Sequence, residues 1–166
     1  MLDADQYASE ALAPNTSAAK SVAQRFGAAV GSAADLDRKA LGRIVFSDAE
    51  ERRWLETLVH PVVRDRFQQE LVRHSQAPVV VLMIPLLFET GLEALCSEVW
   101  LVDCEPHQQL ERLMRRGGLN EADAQARLAA QWPLSRKRPL ADRVIDNRGS
   151  ADALADAVNR CDRPSL

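Results

Sequence analysis

Glu89 is a lone carboxylate four residues beyond Pro85, at the end of the apolar run 79–84. That run is short and β-branched, which suits a strand buried on both faces, as in a parallel sheet. Pro85 cannot donate to a sheet ladder, so the strand is expected to stop there. Residues 86–91 then lie at its C-terminal end, where open α/β sheets bind ligands. A charge beside Leu87 and Phe88 is costly to bury without a purpose. A carboxylate there can hold a substrate's polar groups or a basic side chain; the plain alternative is a solvated loop charge. Asp3 and Asp5 sit where a strand would end and a helix begin. Aspartate caps helices in such places, and one within hydrogen-bond reach of a hydroxyl can also act as a base. On the residues alone, capping is the commoner outcome. Arg112 and Arg116 share a helix face, usually a solvated one. Lys137 and Arg138 read as a basic loop, 146–149 as a turn by its own chemistry, and His60 as a cap or a satisfied core group.

The elements that must position these residues alternate. Helices are expected at 5–12, 16–26, 36–45 and 48–58, the last capped by Asp48, and another begins at His60-Pro61 with proline at its first position. The strand 79–84 follows, then a second buried strand at 99–102 ending in Asp103. Next come a helix over 106–116 stopped by Gly117-Gly118, a helix from Asn120 to Gln131, the basic loop 135–138, a short strand at Val144-Ile145 and a last helix over 151–160. Leu110, Leu113 and Met114 are expected to face the core. Helices before and between buried strands indicate an α/β domain with a mostly parallel sheet.

Composition sets bounds. A chain of 166 residues suits a single domain with a real core. Hydrophobic residues at 46% and charged residues at 27% are ordinary for a globular protein. A net charge of −3 asks for neither nucleic acid nor an anionic membrane. No run is long enough to span a membrane, and the N-terminus is no signal peptide. Cys96, Cys104 and Cys161 are odd in number and far apart, which fits neither a disulfide framework nor a zinc set and suits a reducing cytoplasm.

Taken in order, a set of short pieces resembles one family. They are Asp3-Ala4-Asp5, Leu36-Asp37-Arg38 with Val45-Phe46, Leu55 to His60-Pro61, and Pro85-Leu86-Leu87-Phe88-Glu89. Gln109 with Arg112 and Arg116, Gln131, Lys137, Ala141-Asp142, and Asp146-Asn147 with Gly149 complete it. The chain resembles dephospho-coenzyme A kinase from Asp3 to about Arg160. The resemblance implies a three-layer P-loop kinase fold with a parallel sheet, a helical coenzyme A-side region over 16–76 and a lid over 117–138. It implies transfer of the γ-phosphoryl of ATP, with Mg²⁺, to a ribose 3′-hydroxyl of dephospho-coenzyme A. By that resemblance Asp5 is the base, and Arg112 and Arg116 act on the phosphates beside a lid hinged at Gly117-Gly118. Asp3, Arg38, His60 and Glu89 lie toward the acceptor, with Asp3 able to order water around the metal. Lys137 contacts phosphate and Asn147 the adenine. No residue is expected to belong to a metal site of the protein's own. The family also carries a strand and a Gly-rich loop ending in Gly-Lys-Ser/Thr ahead of its Asp-Ala-Asp. No glycine precedes a lysine in this sequence, so that strand, loop and first helix are expected to lie outside it. Two other readings stay open: a non-catalytic homologue that retains coenzyme A-type ligand or partner binding, and a longer natural protein.

Overall fold

The computed structural model describes residues 1–161. The chain divides into two compact units, Met1–Thr90 and Gly91 onward. Each is α/β and contains one parallel pair of strands.

In the first unit β1 (Leu2–Asp3) runs parallel to β4 (Leu82–Met83), with Leu2 opposite Leu82 and Asp3 opposite Met83. Between them come α1 (Ala4–Ala11), α2 (Ser17–Phe26), a hairpin of β2 (Gly31–Ser32) and β3 (Asp35–Leu36), α3 (Arg38–Ser47) and α4 (Ala49–Arg73). Each of the four helices starts on an oxygen-bearing cap that accepts from its first turn: Asp3, Thr16, Asp37 and Asp48. Gly31 has φ +83°, and a Cβ there would stand 2.6 Å from the Asp35 carbonyl oxygen, so the hairpin requires glycine. Val22, Val30, Leu41 and Val45 form a core against Phe26, Trp54 and Leu55. A second contact joins α1 to α4, where Tyr7 meets Phe67 edge to face at 5.1 Å.

Three expectations are corrected in this unit. The strand expected at 79–84 pairs only over Leu82–Met83, and Val79 is 71% exposed. Its one partner among the described residues, β1, is two residues long, and a strand is buried only by what flanks it. Second, no helix starts at Pro61. It lies inside α4, a single helix of 25 residues. Val59, Val63, Phe67 and Glu70 recur on its buried face, and this burial outweighs the donor lost at the exposed proline. Third, Leu36 belongs to the hairpin, and α3 begins two residues later because Asp37 takes the N–H groups of Lys39 and Ala40.

In the second unit β5 (Trp100–Asp103) and β6 (Arg143–Asp146) run parallel over four pairs, from Trp100 opposite Arg143 to Asp103 opposite Asp146. The helices are α5 (Pro106–Gly117), α6 (Glu121–Ala129), α7 (Leu134–Lys137) and α8 (Ala151–Cys161). Gly118 closes α5 in the left-handed conformation, and the Asn120 side chain opens α6. The segment expected as a basic loop is instead α7 followed by a 3-10 turn, Arg138–Leu140. Its last helical residue, Lys137, is buried, whereas its neighbours Arg136 and Arg138 are exposed. Leu110, Leu113 and Met114 are half-buried on α5.

Candidate functional site

Parallel strands bring their C-terminal ends to the same side, and candidate residues gather there in each unit. In the first, β1 leads straight into α1 and β4 into the segment from Pro85 to Thr90. The register sets Asp3 opposite Met83, so Asp3, Asp5 and the Pro85–Glu89 stretch all follow paired strand ends. Asp3 is half-buried, and its Oδ1 accepts the Asp5 N–H at 2.8 Å, so it does cap α1. Asp5 stands in the first turn of α1 with its side chain exposed, where the N-terminal end of the helix dipole favours a carboxylate. Glu89 is half-buried in a turn held by Thr90, whose hydroxyl donates to the Leu86 carbonyl at 2.7 Å.

Arg38 and His60 lie on helices of the same unit. The Arg38 guanidinium donates from Nη2 to the carbonyls of Ser9 (3.0 Å) and Leu12 (3.2 Å), and from Nη1 to the Ser9 hydroxyl. These bonds satisfy carbonyls at the end of α1 and so tie α3 to the helix that carries Asp5. His60 is half-buried within α4 rather than at a helix start.

In the second unit the loop after β6 is the centre. The Asn147 N–H donates to the Asp103 carbonyl at 2.8 Å, extending the pairing of β5 and β6 by one bond. Two side chains of α5, one turn apart, take the next carbonyls. Arg112 Nη1 donates to Asn147 O at 2.8 Å, and Gln108 Nε2 to Arg148 O at 3.0 Å. The loop also closes on itself, because Asp146 accepts from the Arg148 backbone N–H at 2.9 Å and from its guanidinium at 2.8 Å. Those bonds hold the Asp146 carboxyl at about 2, below its ordinary 3.8, and push the Arg148 guanidinium up. Arg116 is exposed in the last turn of α5, whereas Arg112 is half-buried, so the two arginines share a face but not an environment.

Lys137 is 5% exposed. Arg138 follows it and grips the buried Asp103 carboxylate at 2.8–3.1 Å through Nη2 and Nε. Sequence reasoning missed Asp103, Arg138 and Gln108. Only the topology brings Asp103 and Arg138 together across 35 residues, while Gln108 carried a local signal as the partner of Glu105 at the start of α5. Among the described residues no group of three or more His, Cys, Asp or Glu could hold a metal ion, and no helix is long and apolar enough to cross a membrane.

Comparison with known proteins follows the same lines. The family model for dephospho-CoA kinase matches residues 1–153. A dephospho-CoA kinase of Parasynechococcus marenigrum is 68% identical over 161 residues, which is 97% of this chain and 81% of the relative. One from Prochlorococcus marinus is 54% identical over 164 residues, covering 96% and 80%. Among solved structures, a Thermus thermophilus protein superposes with TM-score 0.76 at 39% identity over 96% of this chain and 81% of its own. The dephospho-CoA kinase of Campylobacter jejuni gives 0.64 at 29% identity, covering 96% and 82%. The chain belongs to the dephospho-CoA kinase family.

Proposed function

We propose that the protein transfers the γ-phosphoryl group of ATP to the ribose 3′-hydroxyl of dephospho-CoA, with Asp5 as the base. One observation carries the assignment: Asp5 is an exposed carboxylate in the first helical turn after β1, beside the exit of β4. That is the ligand end of a parallel pair. Asp3 caps the same helix through Oδ1, and Asp5 is the more exposed of the two carboxylates. In the step, the Asp5 carboxylate accepts the 3′-hydroxyl proton, the ribose oxygen bonds to the γ-phosphorus, and ADP leaves. Glu89 and His60 serve the acceptor, and Arg38 serves it by fixing the end of α1. Arg112, Arg116 and Lys137 neutralise phosphate charge as it shifts. Asn147 meets the adenine with its amide, while its backbone N–H and carbonyl are bonded to Asp103 and Arg112.

The same reading extends to the fold and its surroundings. The chain is one domain of three-layer P-loop kinase type, with 16–76 on the coenzyme A side and 117–138 as the lid, working in the cytoplasm. Mg²⁺ accompanies ATP. Such ions ride on phosphates with one or two carboxylates rather than in a protein cage. When bound it supplies charge neutralisation at the phosphates. The test is product analysis by mass spectrometry after incubation with ATP, Mg²⁺ and dephospho-CoA. A ribose-phosphorylated product is expected. Binding of dephospho-CoA without any turnover would overturn the assignment.

A further inference from the structure

We propose that Asp103 is a positioning residue that holds both ATP-contacting segments of the second unit in place. The proposal rests on the reading of Lys137 and Asn147 as ATP contacts. Asp103 ends β5 and is buried, although a carboxylate is costly to bury unless paired. Its side chain is paired with Arg138 through Nε to Oδ2 at 3.1 Å and Nη2 to Oδ1 at 3.0 Å, the two-point geometry that fixes orientation as well as distance. Arg138 adjoins Lys137. Lys137 is buried, so its ammonium does not sweep through solvent. Arg138, at the start of the turn after α7, fastens that backbone to the strand end. The main chain of the same aspartate does the second job, with its carbonyl accepting the Asn147 N–H at 2.8 Å. One residue therefore links the segment of Lys137 to the loop of Asn147, at the end of the strand pair where ligands bind. Arg112 and Gln108 brace that loop from α5.

The experiment is steady-state kinetics on the full-length protein with ATP and dephospho-CoA varied separately. The variants are Asp103→Asn, Arg138→Met, their double and Arg138→Lys, each checked by its melting temperature. A displaced phosphate contact raises KM for ATP by about tenfold in each single variant, since misplacement near 1 Å costs up to about a hundredfold. KM for dephospho-CoA stays within about twofold, and the double variant is no worse than the worse single, because both remove one shared interaction. Arg138→Lys recovers part of the loss. If Asp103→Asn does not fold, the two Arg138 variants decide, since that side chain is half exposed.

Equal rises in both KM values would mean a merely structural pair and overturn the proposal. Folded variants with unchanged kinetics would also overturn it, as would a double variant that regains the wild-type KM for ATP. Lys137→Met separates the proposal from the reading beneath it. If Lys137→Met leaves KM for ATP unchanged while the Asp103 variants raise it, the Lys137 assignment fails and the positioning role stands through Asn147.

Discussion

Replacing Phe67 by alanine tests the contact that fixes α1. Phe67 is 0% exposed, and its ring meets Tyr7 at 5.1 Å and 73°. Exposing a side chain of this kind costs about 1.5–3 kcal/mol of transfer free energy. The lost edge-to-face contact adds about 0.5–1.5 kcal/mol. Incomplete collapse of the cavity brings the total to about 3–5 kcal/mol, the usual range for buried phenylalanine. Phe67→Leu fills most of the space and should cost only about 1–1.5 kcal/mol. Urea unfolding at 25 °C, followed by circular dichroism with the slope held common, reads both. Tyr7 lies two residues from Asp5 on α1, so the alanine variant should also lose turnover at temperatures where it remains folded. A loss below about 1 kcal/mol at an unchanged slope would refute the reasoning, because it would mean that α1 does not depend on this contact.

Pro61→Ala restores a helix donor at an exposed position within α4. It should raise stability by about 1–3 kcal/mol in the same urea assay, and a lower midpoint would contradict this. Thr16→Ala removes an oxygen that accepts from Ala19 N–H at 3.1 Å and donates to the Ala11 carbonyl at 2.8 Å, so a loss of about 1–2 kcal/mol is expected. Asp146 sets an acid dependence. Bonded to Arg148, its carboxyl sits at about 2 against an ordinary 3.8. The unfolded chain therefore takes up this proton first, and the contribution to stability is complete above pH 3.8 and lost as pH falls to about 2. Melting curves should show wild type above Asp146→Asn at about pH 6, with the gap closing toward about pH 2. A gap that persists at the acid end would contradict the assignment.

Local signals carried much of the fold. Asp3, Thr16, Asp48, Asn120 and Gly118 mark helix ends in the structure because caps act on neighbouring N–H and C=O groups, which a sequence displays directly. The reading failed where distant partners decide the outcome. Pro61 looked like a helix start by its own chemistry, yet the buried face of α4 carries the helix through it. The run 79–84 looked doubly buried, but Val79 and Val81 are exposed because burial depends on flanking strands. At the site, the turn chemistry of 146–149 was legible because Asp146 bonds a residue two positions on. Asp103 was not, since its partner Arg138 is 35 residues away and only the parallel pairing of β5 and β6 brings the two segments together.

The most direct test of the central claim compares turnover in Asp5→Asn and Asp3→Asn. Asp5 is exposed in the first turn of α1, so its change to asparagine should cost no more than about 1 kcal/mol of stability while kcat falls by about a hundredfold or more, the share of a positioned general base. Asp3→Asn keeps an oxygen for the cap and should retain most of the activity. An Asp5→Asn enzyme within about threefold of wild type would contradict the account, because a positioned base contributes far more than that.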